Sequence, residues 1–331
     1  MMLRKLSRIL PATLLAAGAL VSNALAADKV VFQLDWLPGG DKAPIYVCIE
    51  KGFCAEEGIE ATVAPGRGSA EAITRLAAGT SDVGSADIGA LMAAKVTDKV
   101  GITAIMSIFN KGPHAFFVLK GGNIKKIEDV KGKRVATSPF TSSNVFLPLV
   151  LKDVGLDEGD ITLTKTDPGA LGPMLMTGAT DVIIAWTTNV AIFTNQAKAA
   201  GKEIDIFTWD AAGLELYSAC LLASDKFITE RPEVAKRFVN AFKKSLEYVK
   251  QDPDGAAAAV TKLVPELTVA DVKGAILDTM SLEFNEVTTK DGLGAFEPKR
   301  LATTWERVSA AQNLDKTALD PAKVANTSFL P

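Results

Sequence analysis

The chain has 331 residues, 48% of them hydrophobic and 23% charged, with 26 glycines and 15 prolines. These are ordinary globular proportions with room for two compact domains, and they exclude a disulfide-stapled miniprotein, a collagen and a disordered polymer. Thirty-six basic against 39 acidic side chains leave a formal net charge of −3, with the signs interspersed, so nothing attracts a polyanion over a long range and no nucleic-acid partner is expected. The single histidine, His114, argues against a His-ligated metal centre and a Ser-His-Asp hydrolase; no cofactor or metal is expected.

In chain order, Arg4, Lys5 and Arg8 lead into an apolar stretch over residues 9–21, followed by small Ala24 and Ala26. That is the layout of a secretion signal cut after Ala26, and its apolar stretch is short of the roughly 20 residues that span a bilayer. Residues 1–26 are therefore expected to be a signal peptide, and the rest a soluble, mildly acidic, monomeric periplasmic protein. Export gives weight to the three cysteines. Cys48 and Cys54 flank Gly52, where a helix and turn bring them towards bonding range, although two small buried thiols fit equally well. Cys220 is left over.

Residues 30–34 form a short β-rich run that breaks at Asp35-Trp36-Leu37-Pro38-Gly39-Gly40. A helix over 43–51, a strand over 58–64, the loop Gly66-Arg67-Gly68-Ser69 and a helix over 70–78 come next. Strand, loop and helix in repetition predict an α/β fold with a mainly parallel sheet flanked by helices. Residues 75–86 and 174–185 echo one another: each has a helix end, a capping glycine (Gly79, Gly178), an Asp-Val pair and a short apolar strand. Two such copies suit two equivalent lobes. The apolar runs 115–119 and 217–223 are expected to lie side by side as two crossover strands forming the hinge. That makes 27–117 the first part of lobe 1, 118–217 lobe 2, and 218–331 the remainder of lobe 1. Helices over 233–249, 255–263, 269–281 and 298–311 are expected to wrap lobe 1 and the hinge.

In open α/β sheets ligands sit beyond the carboxyl ends of the strands. Trp36 comes just after the first strand, where its indole can wall a cleft, or simply fill a core. Arg67, Gly68 and Ser69 stand at a helix start, where backbone N–H groups and the Ser69 hydroxyl can meet a ligand oxygen; a plain helix cap by Ser69 is equally compatible. Ser85 can donate to a ligand, while Asp87 better suits a cap. In lobe 2, Ser138, Phe140, Thr141 and Ser142 belong to a polar run ahead of a helix and suit an uncharged polar group or an anion. Trp186 and Asn189 lie just beyond the second copy of the echo, and the two tryptophans together suggest an aromatic clamp.

Asp35-Trp36-Leu37-Pro38, Tyr46, Glu50-Lys51-Gly52-Phe53, Glu56-Glu57-Gly58-Ile59, Gly66-Arg67-Gly68-Ser69, the two Gly-x-x-Asp junctions and the segment from Ile127-Glu128-Asp129-Val130 to Lys133-Arg134-Val135 resemble a family of periplasmic binding proteins of ABC importers. That family includes receptors for thiamine-pyrimidine precursors, riboflavin, aliphatic sulfonates, taurine and nitrate. The resemblance covers nearly all of the chain after the signal. It implies the type II periplasmic-binding-protein fold, whose two α/β lobes close over a small-molecule ligand and dock on an ABC permease in the inner membrane. Pyrimidine-precursor receptors tend to carry Asn after Trp-x-Pro and His three residues on, where this chain has Gly39 and Lys42. The tryptophan pair favours a flat heterocycle or aromatic acid; the 138–144 hydroxyls with Arg67 would instead serve a sulfonate, taurine or nitrate. The fold also hosts the eukaryotic thiamine-pyrimidine synthase. Its cysteine-rich motif and consumed histidine have no counterpart in three dispersed cysteines and a lone His114 expected at the surface or hinge, so a binding protein rather than an enzyme is expected.

Overall fold

The computed structural model describes residues 26–210 and 216–331, so the expected signal lies, but for Ala26, outside the described residues. Among the described residues ten strands form two sheets. They are β1 (Asp28–Gln33), β2 (Ile59–Ala64), β3 (Val83–Asp87), β4 (Ile102–Ser107), β5 (His114–Leu119), β6 (Arg134–Thr137), β7 (Thr162–Lys165), β8 (Val182–Trp186), β9 (Ile204–Thr208) and β10 (Ala219–Ser224). One sheet runs β2-β1-β3-β10-β4 and the other β7-β6-β8-β5-β9. In the first, β1 pairs parallel with β2 and β3, and β10 lies antiparallel between β3 and β4. The second repeats the pattern, with β6 parallel to β7 and β8, and β5 antiparallel between β8 and β9.

The echo is the join that makes the lobes equivalent. Gly79 and Gly178 take left-handed φ values of 70° and 75° after the helices Ser69–Ala77 and Leu171–Thr177, a backbone state that glycine adopts without cost. The Asp82 carboxylate then accepts from the Val31 amide at 2.9 Å, and Asp181 accepts from the Arg134 amide at the same distance. In each lobe the aspartate ties the incoming strand to the central strand beside it.

The apolar runs at 115–119 and 217–223 do not lie side by side, which corrects the expected hinge. Each sits inside its own sheet, because strands that are apolar on both faces must be covered by helices on both sides. The chain leaves the first sheet through residues 108–113, and this segment meets the approach to β10: Ile108 and Phe109 donate to the Ala219 carbonyl, and Ser218 donates to that of Phe109. All of β5, from His114 onward, belongs to the second sheet, so lobe 2 starts a few residues before the expected 118.

Buried side chains run through the crossing without a break. One cluster holds Ile88 and Leu91 of lobe 1, Phe116, Phe146 and Val182 of lobe 2, and Tyr217 and Trp305. The C-terminal helices reach further than lobe 1. Asp278, on helix Val269–Glu283, accepts from the Ala191 amide of lobe 2 at 2.7 Å, and Gln312, just after helix Pro298–Ala311, donates to the Val145 carbonyl at 2.7 Å. Helix Pro232–Gln251 lays Phe238 and Phe242 on Phe32 of β1, with ring centroids 6.0 and 5.8 Å apart. Among the described residues no helix is long and apolar enough to cross a membrane.

Cys48 and Cys54 form a disulfide with Cα atoms 5.1 Å apart, and Cys220 is a free, buried thiol. Closing so short a loop restricts the unfolded chain modestly, so replacing both bonded cysteines by alanine is expected to cost about 2 kcal/mol, read from the denaturant midpoint of unfolding.

Candidate functional site

The carboxyl ends of β1, β2, β6 and β8, with the loops that follow them, converge on a cavity where the lobes meet. Asp35, Trp36, Asp41, Gly68 and Ser69 line it from lobe 1, and Thr141, Ala185, Trp186, Thr188 and Asn189 from lobe 2. The two tryptophans are exchanged across the junction. Half-buried Trp36 packs on the lobe 2 cluster around Phe117 and Phe193, while Trp186 joins the lobe 1 cluster beside Phe109, with ring centroids 6.0 Å apart. The Trp186 indole Nε1 is buried and has no hydrogen-bond partner among the described residues.

Beneath the cavity lies a buried ionic group. The Lys42 ammonium, 4% exposed, is 2.6 Å from Asp35 Oδ1 and 2.9 Å from Asp41 Oδ2, and sits 5.5 Å from the Trp186 ring centre. Burial pulls its pKa down, but the charges and hydrogen bonds of Asp35 and Asp41 outweigh that penalty and raise it. Ser85 donates to Asp35 Oδ1 at 2.7 Å, whereas the buried Asp35 Oδ2 has no hydrogen-bond partner among the described residues. Burial pushes the Asp41 carboxyl above its ordinary range despite Lys42. Glu283, only 2% exposed, is driven by burial, and then by Asp41, up to about 8.

Of the residues expected at the site, Trp36, Gly68, Ser69, Thr141, Trp186 and Asn189 line the cavity together. Arg67, Ser85, Ser138, Phe140 and Ser142 do not line it. Arg67 turns out to Glu71 and to the Phe140 ring, 5.3 Å away. Ser138 donates to the Arg67 carbonyl at 2.8 Å, and Ala70 donates to the Phe140 carbonyl at 3.0 Å. These contacts join the two lobes at one edge of the cavity. Gly68 makes the approach possible, since a Cβ there would lie 2.1 Å from the Phe140 carbonyl carbon. Ser85 serves Asp35, and the Ser142 hydroxyl is buried without a hydrogen-bond partner among the described residues. Ser69 is no cap: it is the first helical residue and its hydroxyl accepts from the Asp87 amide, while Asp87 caps the next helix through Gly89 and Ala90.

Asp35, Asp41, Lys42, Thr188 and Glu283 were missed. A charged residue directly after an apolar strand, and an Asp-Lys pair directly before the apolar helix Ala43–Glu50, were the available signals; Glu283, at a helix end, had none. His114 is buried rather than at the surface. Its Nδ1 is 2.9 Å from Ser143 Oγ and its Nε2 is 3.5 Å from Asp87 Oδ2 across the hinge, with Phe146, Trp186 and Trp209 rings around it.

Residues 40–256 match the family described as NMT1/THI5 like. The chain belongs to the NMT1/THI5-like family. The riboflavin-binding protein RibY of Chloroflexus aurantiacus is 23% identical over 315 residues, 92% of this chain and 86% of its own length. The 4-amino-5-hydroxymethyl-2-methylpyrimidine phosphate synthase THI5 of Saccharomyces cerevisiae is 22% identical over 253 residues, 73% of each chain. The periplasmic aliphatic sulphonate binding protein SsuA of Escherichia coli superposes with a TM-score of 0.70 at 15% identity, covering 92% of this chain and 94% of SsuA. The fold is therefore the two-lobe periplasmic-binding-protein fold.

Two consequences of this geometry can be measured. Gly68→Ala should hold the lobes apart at Phe140 and weaken capture of a cleft ligand at least tenfold, with a larger radius of gyration by small-angle scattering. Because folded Glu283 holds its proton more tightly than the unfolded chain does, its burial costs stability as pH rises from the ordinary glutamate range to about 8, and no further above that. Glu283→Gln should remove a fall on the order of 1 kcal/mol per pH unit over that interval, read by comparing the unfolding free energies of the two proteins across pH.

Proposed function

We propose that this protein is the extracytoplasmic solute-binding component of an ABC importer, capturing a small flat organic nutrient between its lobes and presenting the closed form to a membrane permease. The observation that carries this reading is the cavity itself: it is lined from both lobes, walled by one tryptophan from each, and bounded by the hydrogen bonds that join Arg67 and Ala70 to Ser138 and Phe140. A solute held there stabilises the closed arrangement over the open one, which is what capture by hinge closure requires. The signal-like N-terminus supports a periplasmic location, and a monomer suffices because the chain supplies both walls.

The two tryptophans at the cavity favour a flat ring, of the thiamine-pyrimidine-precursor or riboflavin class, because stacking uses the whole ring face. Binding rather than turnover is supported by what lines the cavity: neither His114 nor any cysteine does so. The Cys220 thiol is also pushed well above its ordinary pKa by burial, which suppresses the reactive thiolate.

The test is a thermal-shift screen of pyrimidines, flavins, aromatic carboxylates, sulfonates and nitrate. A solute at a hundredfold its Kd adds about 2.7 kcal/mol to the stability of the folded form, a shift of several degrees. Turnover of a screened compound without such a shift would favour the enzyme instead. Trp36→Ala and Trp186→Ala should each weaken binding by about 1–3 kcal/mol with the fold intact by circular dichroism; unchanged affinity in both would remove the aromatic clamp.

A further inference from the structure

The charge around the cavity is lopsided. Two carboxylates, Asp35 and Asp41, line it, and among the described residues no basic side chain does. The Lys42 ammonium beneath is shared between Asp35 Oδ1 and Asp41 Oδ2, so it neutralises one of the two charges at most. Arg67, which lies next to the lining residue Gly68 in the chain, is turned to Glu71. A third carboxyl, Glu283, is buried close enough to feel both Asp41 and Lys42. Meanwhile Asp35 Oδ2 is a buried acceptor to which none of the described residues donates, and Trp186 Nε1 is a buried donor from which none accepts.

We infer that the cleft selects a flat solute bearing positive charge or strongly polarised N–H groups and rejects anions, with Asp35 as the residue that sets this specificity. The inference rests on reading the cleft as a solute site. A cationic N–H group placed against Asp35 Oδ2 supplies the missing donor, and it meets a site whose carboxylates outnumber its single ammonium. An acceptor on the same ring can take the Trp186 N–H. A sulfonate or carboxylate in the same place would be desolvated against two acids and offered no free cation. Burial is what chiefly raises the Asp41 and Glu283 carboxyls, with a smaller push from Asp35 on Asp41 and from Asp41 on Glu283.

The experiment uses three probes built on one ring: benzamidine, benzamide and benzoate, a cation, a neutral amide and an anion of nearly the same shape. Their Kd values are measured on the intact protein by calorimetry, together with taurine. Benzamidine is expected to bind at least tenfold more tightly than benzoate, with benzamide between them and taurine absent. Asp35→Asn, which keeps the shape and an acceptor for Ser85, should weaken benzamidine at least tenfold and shrink the gap to benzoate. If Asp35→Asn does not fold, the wild-type series decides alone. Benzoate or taurine binding as tightly as benzamidine overturns the inference, as does an anion emerging as the best solute of the wider screen, and either result leaves the receptor reading standing. If no flat solute of any charge binds, both readings fall.

Discussion

A lysine ammonium removed from water must be met by carboxylates, and at Lys42 that requirement shapes everything near the cleft. Removing one partner of such a buried group typically costs about 3–5 kcal/mol, so the segment from Asp35 to Lys42 has little freedom to rearrange. It leaves β1, runs under the cavity and folds back so that Asp41 and Lys42 lead directly into the helix Ala43–Glu50. Trp36 is thereby aimed at the opposite lobe. Ser85, from the neighbouring strand, donates to the same Asp35 Oδ1 that Lys42 meets, which links the position of β3 to the same ionic group.

The two lobes share a plan but divide the labour. Equivalent glycine and aspartate junctions fix equivalent central strands, and each sheet receives one antiparallel strand as the chain arrives from the other side. The strands beyond those junctions end differently: β3 ends at Asp87, which is spent on a helix cap and on Ser218, whereas β8 ends at Trp186, which enters the cavity. The acids of the site come from lobe 1, and lobe 2 contributes hydroxyls, an amide and the buried indole.

Strands and helices were legible because their signals are local. Apolar runs, capping glycines and the Asp-Val pairs each mark an element within a few residues, and the four C-terminal helices fall where their periodicity places them. Pairing is not local, which is why β5 and β10 were expected together although each is enclosed by its own sheet. The loops that line the cavity were legible for the same local reason, since they follow strand ends. Which hydroxyl in a loop remains free was not legible: Ser138 and Ser85 each found a partner 50 or more residues away, and Arg67 found Glu71 on the helix just beyond it. Asp35 read as part of a turn, because nothing in its neighbours discloses that Lys42 will be buried against it.

The helix Val269–Glu283 comes after lobe 1 in the chain, yet Asp278 holds the Ala191 amide and Asp271 accepts from Asn195 at 2.6 Å, both on the lobe 2 helix Val190–Ala199. Parting the lobes must therefore sever these ties or carry the whole helix along with its partner. In the first case the empty protein already leans toward the shut form, and part of the free energy a solute would otherwise have to provide is stored in the scaffold. Under the proposed function, such a bias would sharpen retention and slow release, so the rate at which a solute leaves would be governed by two carboxylates that do not line the cavity.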